Sequence, residues 1–221
     1  IVPVDPGKAA EPTIAVVGRL VPHKQVEHAI DAALALRTEL PGLRLHVVGS
    51  GWWEGELHAY ADAAGAGETV VFEGHVDEER KHEIYERAWV LALPSLKEGW
   101  GLVIGEAGMH GTPAVAYASA GGTRESIADG RSGLLVDTPE QFTAALGHLL
   151  RDAEERSRLA AGAREMSHAF TWEHAQRSFA LVILAALTGT LVHTQDPDAP
   201  AEVLGRVARS GRRRRRREGR S

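Results

Sequence analysis

At 221 residues, 43% of them hydrophobic, the chain is long enough to build one full core and too short for two large domains. It has no cysteine, which removes disulfide frameworks and thiolate metal sites, and no apolar run nears the roughly 18 to 20 residues of a membrane span. The net charge of −5 hides an asymmetry: nine of the 25 basic residues and a single acid fall in residues 206–221, for +8, and the rest of the chain carries −13.

The first residue is Ile1 with no charged and apolar leader behind it, so the chain reads as a fragment or one excised domain, and a cytoplasmic location is a separate expectation. Residues 1–12 are rich in Pro, Gly and Asp and read as a linker. Residues 13–18 form a short buried strand, followed by Arg19, Leu20, Val21, Pro22, His23 and Lys24. Val26, Ala29, Ile30, Ala33 and Leu34 then recur at spacings of three and four, which predicts an amphipathic helix ending near Pro41 and Gly42.

A second strand over residues 43–49 runs into Gly49, Ser50 and Gly51 and a helix over 52–64. A dinucleotide fingerprint would need a third glycine where Glu54 stands and would lie on the first strand, so this turn does not bind NAD. A third strand covers 69–72, then Glu73, Gly74, His75 and Val76, then a helix over 77–88 with Ile84, Tyr85 and Ala88 as its apolar positions.

The apolar run Trp89, Val90, Leu91, Ala92 and Leu93 is a buried strand that empties into a glycine-punctuated loop opening a helix, the kind of junction that binds ligands. Glu98 lies in that loop and Glu106 eight residues on, about two turns away for a helix starting near Gly101, so both carboxylates are expected to look toward the strand's carboxyl end. Gly99 and Gly101 leave the backbone free to approach a ligand, and the first amides of the helix suit a phosphate. A carboxylate near each end of a phosphate cradle fits a ligand with hydroxyls on both sides of a diphosphate, the shape of a nucleotide sugar.

Residues 114–117 form another strand, with a glycine-rich turn from Ser119 through Gly121 and Gly122 to Glu125. A last strand over 134–136 and helices over 139–150, 154–167 and 171–187 follow. From residue 188 the pattern fails: a Pro- and Asp-rich stretch precedes an uninterrupted arginine run over 212–217, and disorder is the expectation. Asp196 and Asp198 make a D-x-D, but a metal site needs a rigid strand end, so no metal is expected there.

Pro94-Ser95, Glu98-Gly99-Trp100-Gly101, Glu106-Ala107 and Gly111-Thr112-Pro113 resemble the E-x7-E signature of retaining glycosyltransferases of the GT-B fold, family 4 above all, and the likeness runs from about Thr13 to His174. Arg19 and Lys24 match that family's G-R-x-x-x-x-K-G element, with Gln25 in place of its last glycine; Gly121 and Gly122 match its G-G-x-x-E, and Phe170-Thr171-Trp172 its closing F-[ST]-W. The resemblance implies a Rossmann-like, doubly wound parallel sheet of about six strands with helices on both faces, one half of a GT-B fold. Residues 13–188 would be the donor-binding domain, 1–12 a linker to an N-terminal acceptor domain and 189–221 a tail.

It further implies that Glu106 binds the ribose hydroxyls, Glu98 those of the transferred sugar, and Arg19 and Lys24 the diphosphate of a UDP or GDP sugar. Gly74, His75 and Val76 would contact the base; Gly99, Trp100, Gly101, Leu102 and Gly122 would complete the pocket. A guanidinium fork and a mobile ammonium neutralise a diphosphate without metal, so no cofactor is expected. Other readings are a non-catalytic nucleotide-sugar binding module and half of a sugar-nucleotide epimerase; a hydrolytic carboxylate pair ranks below both because one carboxylate is taken as a ribose ligand. The arginine run is either a solvated end or a contact with an anionic membrane where an acceptor would lie, and it lacks the interleaved aromatics of a nucleic-acid binder.

Overall fold

The computed structural model describes residues 7–169 and 172–188. Residues 1–6, the tail, Phe170 and Thr171 of the closing motif, and the D-x-D lie outside the described residues. Six strands, β1 (Thr13–Val17), β2 (Arg44–Val48), β3 (Val70–Gly74), β4 (Val90–Leu93), β5 (Ala114–Tyr117) and β6 (Gly133–Val136), pair in the order β3-β2-β1-β4-β5-β6, every pair parallel. β1, β4 and β5 are buried at every position, as strands covered on both faces must be, which is why they read as continuous apolar runs.

Alternation along these strands feeds two cores. Ile14, Val16, Val90, Ala92 and Val115 face one packed against α1 (Val26–Leu36), α2 (Glu54–Ala63) and α6 (Pro139–Arg151). Ala15, Val17, Leu91, Leu93, Ala114 and Ala116 face the other, closed by α3 (Glu78–Arg87) and α4 (Leu102–Met109). Three of these strand residues are alanines, and α4, packed on this side, carries Glu106. A short helix α5 (Thr123–Ser126) follows β5.

Local signals set the helix starts. Asp77 caps α3 by accepting from the Arg80 amide at 2.8 Å, Thr138 caps α6 with Pro139 behind it, and Asp152 accepts from the Glu155 amide at 2.9 Å to open α7 (Ala153–Ala169). α1 has no side-chain cap; its N-cap is Gln25, at φ 46° the one non-glycine residue with positive φ among the described residues. The helix therefore starts at Val26 and ends at Leu36, shorter than its apolar pattern suggests.

Residues 7–12 are more than a spacer. Lys8 Nζ donates to the His110 carbonyl and to Thr112 Oγ1, at 3.1 and 2.6 Å, the Ala9 amide donates to the Arg87 carbonyl at 2.9 Å, and Trp89 Nε1 donates to the Ala9 carbonyl at 2.8 Å. The described end of the expected linker is thus tied to the α3 and α4 layer. Residues 169–221 form a second unit, of which the helix α8 (Trp172–Thr188) is described. Among the described residues no helix is long and apolar enough to cross a membrane.

Candidate functional site

Strand order reverses between β1 and β4: from β1 the chain moves outward to β2 and β3, then returns to β4 and proceeds the other way. The loops leaving the carboxyl ends of these two neighbours diverge and leave a crevice, the general ligand position in open parallel sheets. Gly18, Arg19, Lys24, Leu93, Pro94 and Ser95 line a recess there. The sequence placed its two cations and its central glycine-rich loop on these two strand ends.

Lys24 Nζ donates to Glu98 Oε1 at 2.5 Å, and the Ser95 hydroxyl donates to the same oxygen at 2.7 Å. The Leu96 amide donates to the His23 carbonyl at 2.8 Å, so the loops after β1 and β4 are joined through backbone as well as side chains. Arg19 is exposed beside them, and no hydrogen bond or ion pair to its side chain is found among the described residues. Lys24 sits at the end of a 3-10 turn (Pro22–Lys24) that Gln25 closes in the left-handed region, where the family's element has glycine.

The Glu98 loop is fastened on its other side to the turn after β5. The Glu98 amide donates to the Ala120 carbonyl at 2.7 Å, the Gly122 amide to the Glu98 carbonyl at 3.3 Å, and Glu98 forms a parallel bridge with Gly121. A Cβ on Gly122 would stand 1.7 Å from the Gly99 carbonyl oxygen, so this close approach admits glycine alone. Gly101, at φ 74°, is the N-cap of α4, which therefore begins at Leu102. Gly99 and Leu102 are exposed and Trp100 half-buried.

Glu106 lies one turn into α4 and is held from a different side. Tyr85 donates its hydroxyl to Glu106 Oε2 at 2.8 Å, and Lys81 Nζ stands 3.4 Å from both carboxylate oxygens, both residues reaching in from α3. Glu98 belongs to the β1 and β4 loops and Glu106 to the α3 and α4 layer, so the two carboxylates are anchored on separate elements. Burial and the neighbouring Glu106 charge push the Tyr85 phenol well above its ordinary range, so it stays a donor.

The base-contact candidates follow a bulge. Val47 pairs with Phe72 and Val48 with Gly74, leaving Glu73 as the extra residue. Burial pushes the Glu73 carboxyl up, but hydrogen bonds from His46, 2.7 Å away, and from Arg80, at 3.2 Å, outweigh it and hold the group below the usual carboxylate range. Gly74 ends β3 at φ 68°, His75 is exposed, and Val76 packs half-buried on the second core.

Three site residues were not singled out from sequence. Ser95 was within the quoted motif without a role, Lys81 had no signal, and Tyr85 was counted as an apolar core position. The last had a readable clue, since a buried tyrosine hydroxyl needs a partner.

A sequence model of the family described as "Glycosyl transferases group 1" matches residues 4–166. D-inositol 3-phosphate glycosyltransferase of Nocardioides sp. is 37% identical over 177 residues, covering 72% of this chain and 38% of that protein. The chain thus spans under two-fifths of that curated relative's length. The pneumococcal O-GlcNAc transferase GtfA, solved with UDP and GlcNAc, superimposes with a TM-score of 0.73 at 19% identity, over 84% of this chain and 38% of that one. The C-terminal domain of a glycosyl transferase group 1 family protein (LpcC) from Francisella tularensis gives 0.64 at 24% identity, over 73% of this chain and 86% of that domain. With the six-stranded Rossmann-like sheet of the GT-B domains, and with the family's sequence pattern matched over most of its length, the chain belongs to the group 1 glycosyltransferases.

Proposed function

We propose that this chain is the donor-binding domain of a retaining glycosyltransferase, which transfers a sugar from a nucleoside diphosphate to an acceptor. The observation that carries the reading is the joined pair at the switch point: a cation from the β1 loop and a carboxylate from the β4 loop meet over one crevice, with Arg19 exposed beside them. A diphosphate needs the cations and a sugar ring needs the acceptor oxygens, and here both stand together.

In this reading Arg19 and Lys24 bind the diphosphate, helped by the first amides of α4, and stabilise it as it departs. Glu98 accepts from hydroxyls of the transferred sugar and Glu106 from the ribose hydroxyls. Gly74, His75 and Val76 lie against a uracil or guanine base, while Gly99, Trp100, Gly101, Leu102 and Gly122 shape the floor. The acceptor attacks on the face the leaving group departs from, its proton passes to a departing phosphate oxygen, and the anomeric configuration is kept. Positioning and electrostatics do most of the work, so this half need supply no general base and no cofactor.

The acceptor, which the relative's name puts at D-inositol 3-phosphate for that protein, is read by the remainder of the polypeptide in an N-terminal acceptor domain. The protein acts in the cytoplasm, and the arginine run over 212–217 contacts an anionic membrane. Co-sedimentation with anionic and neutral vesicles, with and without residues 206–221, tests that contact; equal recovery of both proteins removes it.

The donor assignment is tested by calorimetry with UDP, GDP and ADP in excess EDTA. One of them binds the chain without metal, and Glu106→Ala weakens that binding about tenfold to a hundredfold. Binding abolished by the chelator, or unchanged in Glu106→Ala, overturns the assignment of cations or of ribose ligand respectively.

A further inference from the structure

Tyr85 is fully buried, with its ring in the second core beside Ile84, Ile104 and Ala107. Its backbone carbonyl accepts from the buried Thr112 hydroxyl at 2.7 Å, and its ring lies over His110 at 6.2 Å between centroids and 22° between planes. Backbone and ring are thus both held by neighbours. The hydroxyl of this fixed side chain ends 2.8 Å from Glu106 Oε2.

A glutamate carboxylate turns easily, because its last torsion joins tetrahedral to planar carbon and has broad wells. In Glu106 that freedom is limited from one side: the Tyr85 hydroxyl donates to Oε2 at 2.8 Å, and Lys81 Nζ stands 3.4 Å from both oxygens. Lys81 is itself steadied by Glu78 Oε1 at 3.0 Å. An ionised carboxylate offers about four acceptor positions, so two oxygens gripped from α3 keep capacity on the side away from it. The Glu106 side chain is 29% exposed, so the free positions reach solvent. A carboxylate whose plane is already set accepts two vicinal hydroxyls side by side with less ordering cost on binding.

We propose that Tyr85 is a positioning residue for nucleotide recognition: its hydroxyl fixes the plane of the Glu106 carboxylate so that the carboxylate discriminates a ribose from a sugar lacking its vicinal hydroxyls. The proposal rests on the reading of Glu106 as the ribose ligand, and it adds a specificity determinant on α3, outside the E-x7-E stretch. Burial and the Glu106 charge push the phenol up, so it keeps its proton and stays a donor throughout the neutral range.

The test measures dissociation constants of UDP, GDP and their 2′,3′-dideoxy counterparts for the full chain, Glu106→Ala and Tyr85→Phe. The wild type prefers the ribonucleotide by about tenfold or more, and Glu106→Ala erases that preference. Tyr85→Phe keeps the core ring, leaves the dideoxy constant unchanged and lowers the preference by about threefold to tenfold. Unchanged preference in Tyr85→Phe beside a loss in Glu106→Ala overturns the role of Tyr85 and leaves Glu106 standing. Equal weakening of both nucleotides in Tyr85→Phe makes its hydroxyl a contact of the fold alone and also overturns the proposal. A wild type without preference, or a preference that survives Glu106→Ala, removes the ribose reading and this proposal with it.

Discussion

Lys24 and Glu98 lie 74 positions apart in the chain and 2.5 Å apart in the folded protein. On the proposed reading one serves the diphosphate and the other the sugar, yet here they pair with each other. On that reading a bound donor exchanges these partners: the ammonium turns from carboxylate to phosphate, and Glu98 turns to hydroxyls. The Ser95 hydroxyl, 2.7 Å from the shared oxygen, keeps the carboxylate hydrogen-bonded while that happens.

The exchange predicts opposite effects on two ligands. Glu98→Gln keeps the shape of the side chain and frees Lys24, so a bare nucleoside diphosphate binds about twofold to tenfold more tightly. The same variant loses activity with the nucleotide sugar. Calorimetry with the nucleotide and turnover of the complete enzyme check the two halves of this expectation; weaker nucleotide binding sinks the exchange.

Gln25 holds a left-handed backbone at φ 46° between the Lys24 turn and α1. A side chain in that region costs about 1 to 2 kcal/mol, and glycine returns about 0.5 to 1 kcal/mol of that as unfolded-chain entropy. Gln25→Gly is expected to stabilise the protein by about 0.5 to 1 kcal/mol. The urea midpoint reads it, and a fall in the midpoint contradicts it.

Arg156 is buried at 6% exposure, with its guanidinium 4.2 Å from the Trp89 ring centroid and one nitrogen 2.6 Å from the Leu149 carbonyl near the end of α6. Burial pushes its pKa down from the ordinary arginine value. Arg156→Ala removes the stacked cation and leaves that carbonyl without this donor, a loss of about 2 to 4 kcal/mol. Chemical denaturation measures it, and a change under about 0.5 kcal/mol would reduce the contact to surface packing.

His82 Nδ1 and His110 Nε2 stand 2.8 Å apart, so one ring must donate and the other accept. Burial and then the neighbouring His82 lower the His110 pKa from its ordinary 6.5; Lys8 and Arg164 add to this and Glu86 opposes it. The unfolded chain then takes up this proton more readily than the folded one. Stability is full above about pH 6.5 and falls as pH drops through the lowered value. His110→Gln should flatten the loss that sets in as pH falls below about 6.5, a range above that in which Glu73 acts. Parallel pH profiles for the two proteins would remove His110 as the cause.

The sequence by itself determined the order of elements and the kind of sheet, because a strand covered on both faces must be apolar throughout and a covering helix must repeat at three and four. It also put Arg19, Lys24 and Glu98 in the loops after strand ends, since each follows an apolar run that stops at glycine or proline, and Glu106 on the helix that follows. Strand order was a matter for the folded chain: β1 and β4 become neighbours through tertiary pairing, and that neighbourhood makes the crevice. Which carboxylate meets which partner was likewise decided there. The Lys24 contact with Glu98 and the Tyr85 contact with Glu106 join segments that no spacing relates, and hydrogen bonds act only over a few ångströms once packing has brought the groups together. A tyrosine among apolar neighbours reads as core from its ring; its hydroxyl acquires a use only when another helix delivers an acceptor to it.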